Sequence, residues 1–300
     1  MINKSPLLIT IITPSYNRAG MIRAAIESVL AQNCLAVEHI VIDSGSTDGT
    51  LTLLKRYSHL RVISEPDGGM YDALNKGLHL ACGEIVGLLN SDDYYEPHVF
   101  AAIIHMFEQD PELDAVIGGA RVFHEENGRE ETLAIHPAPS ASQLAERLTL
   151  GVPAINAWCF RRRVFEKLEG FDLRYRVASD RDFLIRFLLQ GFKAARYDGV
   201  LYHYRQHSRS LTFSDDYRRR QQFKLEDLEI AETYIHHLPL RKACLAWHLS
   251  LSLNSAAEAL RHGDIRLGLR MAWHGWRRNP LWPLYFLRDA LRGAGRSLRR

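Results

Sequence analysis

Long apolar runs are missing from this sequence of 300 residues. No stretch reaches the about 18 consecutive apolar residues that a membrane-spanning helix needs, so we expect no such helix. The first six residues also lack the cleavage pattern of a secretory signal peptide. Both absences predict a cytoplasmic protein, and they leave open a peripheral contact with the inner face of the cell membrane.

Cysteine is scarce as well. The four cysteines, Cys34, Cys82, Cys159 and Cys244, lie far apart, and their spacings are not those of a metal site. In a reducing compartment such thiols stay unpaired and pack as small apolar side chains. The sequence therefore predicts neither a disulfide framework nor a cysteine-bound metal.

Charge is nearly balanced over the whole chain, with a net value of +3. It is unevenly spread, because residues 215–300 contain 16 Lys or Arg against 9 Asp or Glu, while the remainder is mildly acidic. A basic tail contacts anionic lipid, nucleic acid or an acidic partner, although a solvated helical face has the same composition. No nucleic-acid recognition motif accompanies this tail, so we do not expect nucleic acid as a partner.

The first hundred residues alternate between strand-like and helix-like stretches. β-rich runs at 7–13, 37–43, 61–64 and 84–89 are separated by helical apolar periodicity at 19–32, 48–57 and 70–81. This alternation predicts an α/β fold, with a mostly parallel sheet flanked by helices on both faces. Later segments predict helices at 97–109 and 180–190 and strands at 115–123 and 192–204.

The pattern changes near residue 215 to long helices, predicted at 226–237, 243–261, 265–277 and 281–298. We therefore expect an α/β domain over 1–214 and a basic, aromatic-containing helical region over 215–300. Tryptophans such as Trp273 and Trp276 alternate there with arginine clusters, a pattern that can dock at a membrane interface. A helical subdomain or a homodimer interface explains the same composition.

Paired acids follow the fourth predicted strand, in the run Asn90-Ser91-Asp92-Asp93. Open α/β sheets bind ligands at the carboxyl ends of their strands. Hard oxygen ligands at that edge suit Mg²⁺ or Mn²⁺, which share their coordination with substrate phosphates. The run therefore indicates an enzyme for a phosphorylated or nucleotide-activated substrate, although the same residues also fit the start of a helix.

The loop after the first strand carries Pro14, Tyr16 and Asn17. Proline fixes the backbone, the tyrosine ring offers a flat face to a base or sugar, and asparagine can cap the following helix. The ends of parallel strands meet at one sheet edge, so we expect this loop to converge with those after the second, third and fourth strands.

The loops after the second and third strands are also polar and rich in glycine. Asp43 can accept a hydrogen bond from a base or ribose, Gly45 allows the backbone to approach a ligand closely, and Ser46 can start a helix. Asn75 and Lys76 follow a Gly-Gly loop, and Lys76 can face phosphate oxygens. Capped strand–helix turns would account for the same residues without a ligand.

Taken together, these segments resemble the family 2 inverting glycosyltransferases with the GT-A fold. The matching runs are Thr13-Pro14-Ser15-Tyr16-Asn17, the Asp43 to Thr50 segment, Asn75-Lys76-Gly77, Gly83-Glu84-Ile85 and Asn90-Ser91-Asp92-Asp93. The longer run from Ser64 to Gly77 resembles the bacterial subgroup that builds O-antigen, capsule and other surface polysaccharides. The resemblance extends over roughly residues 5–212.

The resemblance implies that Pro14, Tyr16 and Asp43 hold the nucleotide base of a nucleotide-diphosphate sugar. It places Asn90, Ser91 and Asp92 in the family's Asp-X-Asp-type motif, with Asp92 as the metal ligand. Asn90 stands where the family commonly has Asp, so it can still bind a ribose hydroxyl but lowers the negative charge.

Three further residues complete the implied donor and metal site. Asp93 lies beside Asp92, and the Tyr204 to Ser210 segment resembles the family's Arg-X-His run. By that match Arg205 and His207 contact the diphosphate or the metal. The implied cofactor is Mn²⁺ or Mg²⁺.

Displacement at an anomeric carbon requires a base that deprotonates the acceptor hydroxyl. Asp180 and Asp182 open the helix predicted at 180–190, and they match the family's Glu-Asp-X-Asp signature with Ser179 in place of Glu. By that match Asp180 is the general base. Helix capping by Ser179 or Asp180 explains the same residues.

The expected activity is transfer of a hexose from a nucleotide-diphosphate sugar to a saccharide or polyprenyl-diphosphate-linked saccharide. Residues 151–156 and 170–172 resemble the acceptor side, with Asn156 where the subgroup commonly has His. One alternative is a non-catalytic sugar-nucleotide-binding or assembly subunit, because Asn90 and Ser179 depart from the family pattern. A sugar-phosphate nucleotidyltransferase is the other, although its glycine-rich first loop is missing here.

Overall fold

A computed structural model describes residues 8–34, 36–151, 154–207 and 216–287. The chain divides into two compact units, residues 1–144 with 153–213 and residues 145–152 with 214–300. The first unit contains the sheet, and the described part of the second is helical. The second unit includes 145–152, a segment that the sequence pattern assigned to the first domain.

The helices and strands alternate along the first half of the chain, as expected. In chain order they are β1 (Ile9–Ser15), α1 (Ile22–Leu30), β2 (Val37–Asp43), α2 (Thr50–Leu54), β3 (Leu60–Ser64), α3 (Met70–Leu80), β4 (Ile85–Leu88), β5 (Tyr94–Tyr95), α4 (Phe100–Gln109), β6 (Ala115–Glu126), β7 (Arg129–His136), α5 (Leu144–Leu150), β8 (Trp158–Arg161), α6 (Arg162–Leu168), α7 (Ser179–Leu189), β9 (Ala194–Gln206), α8 (Tyr217–Tyr234), α9 (Arg241–Arg261) and α10 (Ile265–Arg278). Short helical turns at Ala141–Gln143 and Ile155–Ala157 complete the set in the described residues.

The strands form one mixed sheet in the order β3-β2-β1-β4-β8-β6-β9-β5, with β7 also paired to β6. The four strands at the β3 end are parallel, as predicted. In the other half β8 runs antiparallel to both β4 and β6, and β5 and β7 are antiparallel additions. β6 and β9 form the remaining parallel pair. The sheet is therefore less parallel than the sequence predicted.

Helices cover both faces of the parallel half. On one face Val41 of β2 packs in a cluster with Ile22 and Ile26 of α1. On the other face Ile40 packs with Ala73 of α3. Strands covered on both faces are apolar at most positions, which explains the nearly continuous apolar runs in the sequence.

β1 ends later than predicted, because Pro14 and Ser15 still pair with β2. Pairing with β4 stops at Ile12, opposite Leu88. Since proline has no backbone N–H, it is tolerated where one neighbour has already ended. Pro14 therefore lies inside a strand and not in the loop where the sequence placed it.

The second unit contains α8, α9 and α10, which share a core of Leu228, Leu253, Met271 and Trp282. α8 begins before its predicted start because Asp216 caps it by accepting hydrogen bonds from the second and third backbone N–H groups that follow. Most of the helix predicted at 281–298 lies outside the described residues. None of the described helices combines the length and the apolar character that crossing a bilayer requires.

Candidate functional site

The loop after β2 is folded around a buried carboxylate. Asp43 Oδ1 accepts hydrogen bonds from the backbone N–H groups of Gly45 at 3.1 Å and Ser46 at 2.8 Å. The Ser46 hydroxyl donates to Oδ2 at 2.6 Å, and the Ser64 hydroxyl donates to Oδ1 at 3.1 Å. Gly45 has a φ of +78°, a conformation that glycine adopts without strain. Asp43 therefore shapes this loop with both of its oxygens.

The loop after β1 is bonded to the loop after β2. The Asn17 N–H donates to Ser46 Oγ at 2.7 Å, and the Thr47 N–H donates to Asn17 Oδ1 at 2.9 Å. Asn17 has a φ of +52°, which asparagine tolerates better than most residues. These bonds hold the tip of the loop, where Tyr16 is 57% exposed and offers its ring to a flat ligand.

Asp93 holds the acid loop after β4 against β9. It is buried, and its Oδ2 accepts hydrogen bonds from the Tyr202 hydroxyl at 2.7 Å and from Asn90 Nδ2 at 2.9 Å. Its Oδ1 accepts one from the Arg205 N–H at 2.7 Å. Burial and the adjacent charge of Asp92 raise the pKa of Asp93, against the effect of these hydrogen bonds. Asn90 and Asp93 thus bind each other and β9.

Asp92 lies where three strand ends meet. Its Oδ2 is 2.9 Å from Nε2 of His207, which directly follows β9. The same oxygen is 3.9 Å from Nε of Arg18, in the loop after β1. Of the four loops expected to converge, those after β1 and β4 meet at this carboxylate, together with the end of β9. Arg18 was not among the predicted site residues, and its only sequence signal was its place directly after Asn17.

Arg205 reaches the acid loop from β9. Its Nε donates to the backbone carbonyl of Asp92 at 3.0 Å, and its Nη1 forms an ion pair with Glu125. Its guanidinium also lies over the Phe123 ring, 5.1 Å from the centroid. These three contacts fix a positive charge beside Asp92, and Arg18 supplies a second one.

A divalent cation fits part of this arrangement. The Asp92 carboxylate and the His207 ring nitrogen are donors that Mn²⁺ accepts, and they already lie side by side. In the described part of the chain no three His, Cys, Asp or Glu side chains form a metal-binding group. Substrate phosphates and water would supply the other ligands, which is usual for such cations. Asp93, also predicted as a ligand, uses both oxygens in hydrogen bonds.

Asp180 lies at the start of α7 against a tyrosine. The Tyr71 hydroxyl is 3.0 Å from Asp180 Oδ1 and 3.2 Å from the carbonyl of Val177. The Arg181 N–H also donates to Oδ1, at 2.8 Å. Burial raises the pKa of Asp180, while the charge of Arg181 and the Tyr71 hydrogen bond lower it. A carboxylate with a raised pKa is a stronger base once ionised, which suits proton abstraction.

The neighbours of Asp180 in α7 are occupied with the fold. The Ser179 hydroxyl donates to the carbonyl of Asp172 at 2.9 Å. Asp182 is buried and accepts a hydrogen bond from Arg186 Nε at 2.7 Å. Arg186 in turn donates to two backbone carbonyls at and just after the end of α6. The two acids of the predicted signature therefore differ, with Asp182 fixing the helix and Asp180 facing Tyr71.

Tyr204 of β9 lies beside a tyrosine that binds the acid loop. Its ring centroid lies 6.0 Å from that of Tyr202, whose hydroxyl binds Asp93. Burial, the charge of Asp180 and the proximity of Tyr204 raise the pKa of Tyr71. Tyrosines therefore border both the acid loop and Asp180. The sequence analysis singled out none of these tyrosines.

The side chains of Asn75 and Lys76, which the sequence assigned to nucleotide binding, both bind groups of the protein itself. Asn75 Nδ2 donates to the carbonyl of Phe171, and the Phe171 N–H donates back to Asn75 Oδ1, both at 2.8 Å. Lys76 Nζ is 2.8 Å from Glu65 and donates to the carbonyl of Pro66 at 3.0 Å. Asn75 thus anchors the turn before α7, and Lys76 closes the loop between β3 and α3.

Two predicted segments are only partly described. Residues 152–153 of the acceptor-side match and 208–210 of the Arg-X-His match lie outside the described residues. Asn156 is buried, with its Nδ2 3.5 Å from the carbonyl of Leu88. Ser91 is also buried, between Asn90 and Asp92.

Known proteins with similar sequences are glycosyltransferases. The chain is 29% identical over 187 residues to an uncharacterized glycosyltransferase from Nostoc, a match that covers 57% of this chain and 56% of that protein. It is 30% identical over 189 residues to hyaluronan synthase from Pasteurella multocida, covering 62% of this chain and 19% of the synthase. A glycosyltransferase of PGL/p-HBAD biosynthesis from Mycobacterium bovis is 29% identical over 200 residues, covering 65% of this chain and 75% of that protein.

Solved structures with the same fold include a mannosyltransferase from Pyrobaculum calidifontis in complex with GDP-Man and Mn²⁺. It has a TM-score of 0.62 at 20% identity, over 96% of this chain and 81% of that one. S. aureus TarS in complex with UDP has a TM-score of 0.56 at 17% identity, over 91% and 92%. These neighbours confirm the predicted α/β GT-A-type fold with a C-terminal helical region.

A family model shows where the sequence similarity is concentrated. It matches residues 10–169, from β1 through the acid loop to α6, and this match is just over half of the chain. On the strength of this match the chain belongs to glycosyl transferase family 2.

Proposed function

We propose that the protein is an inverting glycosyltransferase. It moves a sugar from a nucleotide-diphosphate sugar to a hydroxyl of a saccharide or polyprenyl-diphosphate-linked saccharide, in the synthesis of a cell-surface polysaccharide. The observation that carries the proposal is the meeting of Asp92 with Arg18, Arg205 and His207 at the ends of three strands. Asp180, with its raised pKa, supplies a base. The names of the hyaluronan synthase and PGL/p-HBAD relatives support the surface-glycan setting.

The donor binds at the ends of β1, β2 and β4 in this proposal. Tyr16 stacks on the base, the Asp43 loop with Gly45 and Ser46 forms the wall beside it, and Asn90 faces the ribose. Neighbouring folds bind UDP, UDP-GlcNAc or GDP-Man, which supports a nucleotide donor without naming its base.

Positive charge at the acid loop neutralises the diphosphate. Arg18 and Arg205 both contact Asp92, a position from which they can stabilise charge that develops on the leaving group. Asp92 and His207 would hold Mn²⁺ or Mg²⁺, which supplies further charge neutralisation to the diphosphate when bound. Asp93 and Asn90 keep the loop in position for these contacts.

Asp180 takes the proton of the acceptor hydroxyl. The acceptor oxygen forms a bond to the anomeric carbon as the bond from that carbon to the diphosphate oxygen breaks. The nucleoside diphosphate leaves with the bonding electrons, and the configuration at the carbon inverts in this single displacement. Tyr71 orients the carboxylate through its hydrogen bond.

The first test compares nucleotide binding with catalysis. Thermal unfolding is followed with UDP, GDP and their sugars, with and without Mn²⁺, because a ligand of the folded state raises its apparent stability. We expect Asp180→Asn to keep the donor-induced shift and to lose transfer by roughly 10²-fold or more. The exposed Asp198 gives a matched control, since Asp198→Asn removes a carboxylate away from the site.

Retained transfer in Asp180→Asn would contradict the assignment of the base. Donor binding without transfer to any acceptor in the unaltered protein would favour an assembly subunit. Release of pyrophosphate from a nucleoside triphosphate would favour a nucleotidyltransferase.

A further inference from the structure

Helix α10 has one face in the core of the second unit. Gly268, Met271 and Gly275 are buried, and they recur at the three- and four-residue spacing of one helix side. Trp282 closes this side, with its indole N–H donating to Ser252 Oγ at 2.9 Å. The inner side of α10 is therefore fully used by packing within the unit.

The opposite side of α10 is apolar although it faces solvent. Ile265, Leu269, Trp273 and Trp276 recur every three or four residues, and each is between 48% and 65% exposed. The two indole rings lie 5.4 Å apart, so they form one continuous apolar surface. Leu281, Leu284 and Leu287, which follow the end of α10, are exposed as well. Solvent-facing apolar patches of this kind mark interaction sites.

A row of arginines borders this apolar stripe. Arg266, Arg270 and Arg277 are exposed, and their spacing of four and seven residues puts them on one adjacent side of the helix. No Asp or Glu occurs from 265 to 287, and Asp264 is occupied as the cap of α10. We call the four apolar residues and these three arginines the α10 outer face. It combines an apolar stripe with a positive edge whose arginines form no ion pair within the described residues.

We propose that the α10 outer face docks on the surface of an anionic lipid bilayer. Tryptophan and leucine side chains enter the boundary between headgroups and acyl chains, while arginines extend to the lipid phosphates. A second copy of the chain is a poorer occupant, because a two-fold interface pairs this basic face with an identical face that offers no acidic side chain. The charge of the face is thus complementary to anionic lipid and not to its own copy.

The experiment is flotation of the full-length protein with vesicles. One set contains phosphatidylcholine alone, and the other contains phosphatidylcholine and phosphatidylglycerol in equal parts. We expect flotation with the anionic vesicles, weakened by salt because exposed charges are screened. The triple change of Arg266, Arg270 and Arg277 to Gln should weaken binding roughly 100-fold, at about 1 kcal/mol, or fivefold, per arginine.

Two further variants separate the apolar stripe from charge alone. Trp273→Ala with Trp276→Ala should weaken binding roughly tenfold or more and remove the blue shift of tryptophan fluorescence on vesicles. The matched charge control changes Arg218 and Arg219 to Gln, since both are exposed on α8 of the same unit. It should float like the unaltered protein. Circular dichroism and thermal unfolding confirm that each variant is folded.

Two outcomes would overturn the proposal. The first is absence of flotation with anionic vesicles, or equal flotation of the unaltered protein and the folded tryptophan variant. The second is a concentration-dependent dimer in analytical ultracentrifugation that the tryptophan changes abolish, without any vesicle binding. The second result would make the α10 outer face an interface between copies. Neither result depends on sugar transfer, so the proposed function is tested separately.

Discussion

Replacing Tyr71 by Phe is expected to move the acid limb of the pH–rate profile to higher pH. The Tyr71 hydroxyl lies 3.0 Å from Asp180 Oδ1, and a hydrogen bond to a carboxylate favours its ionised form. Burial already raises the pKa of Asp180, and Tyr71 opposes that rise. Removing the hydroxyl therefore raises the pKa further. Because the base must be ionised, transfer is lost at a higher pH as the solution is acidified.

The size of the shift follows from the strength of that hydrogen bond. A hydrogen bond to a charged group is worth roughly 1.5–3 kcal/mol, and one pKa unit corresponds to about 1.4 kcal/mol. The upper limit is therefore about 2 units. The hydroxyl proton is shared with the carbonyl of Val177 at 3.2 Å, and the Arg181 N–H still donates to Asp180 in the variant. We expect a shift of about 1 unit.

The assay is kcat/KM for sugar transfer as a function of pH, in the unaltered protein and in Tyr71→Phe. Tyr95→Phe is the matched control, because it removes a buried hydroxyl that donates to the carbonyl of Leu88 at 2.9 Å. That control should leave the acid limb in place. An acid limb that is unchanged in Tyr71→Phe, or that moves to lower pH, would refute the assignment of Asp180 as a base tuned by Tyr71.

Three further predictions concern stability. Asn75→Ala should lower the free energy of unfolding by about 2–4 kcal/mol, because both backbone groups of Phe171 lose a partner. Urea unfolding measures this, and a raised donor KM at unchanged stability would instead restore a nucleotide role for Asn75. Gly77→Ala should destabilise by about 1–3 kcal/mol despite better helix propensity, since its Cβ would lie 2.4 Å from Ile12 Cγ2. A melting temperature at or above that of the unaltered protein would contradict this close packing. Burial, aided by the charge of His59, lowers the pKa of His39 from 6.5 to about 3. The unfolded chain binds the proton more readily, so stability falls as pH drops from 6.5 toward 3. His39→Gln should flatten that dependence in urea unfolding at several pH values, and an equally steep dependence would rule out His39 as its source.

Much of the parallel half of the fold follows from local sequence. The runs that form β1, β2 and β4 are largely apolar because helices cover them on both faces, and the polar loops that follow mark where they end. The placement of Tyr16, Asn17 and Asp92 at one sheet edge also follows, because parallel strands end together. These features depend on periodicity and chain direction, and both can be read from one segment of the sequence without knowledge of its tertiary contacts.

The antiparallel half was harder to predict. The turn at Asn127-Gly128, with φ values of +52° and +73°, joins β6 to β7. An Asn-Gly pair after a strand is a strong hairpin signal. The residues around it are polar, however, so the sequence pattern did not predict β7 as a strand. β8 is only four residues long. Its position in the sheet is set by pairing with β4 and β6, which lie far from it in sequence.

The sequence by itself determined the family, the α/β alternation and the run of acids at the end of β4. Only the tertiary structure decided what each polar side chain binds. Asp92 faces His207 and Arg18, while the adjacent Asp93 is enclosed by donors from β9. Asn75 binds the backbone of a segment that follows it by almost a hundred residues. Such partners are distant along the chain, and only the packing of the sheet and its helices brings them within hydrogen-bonding distance.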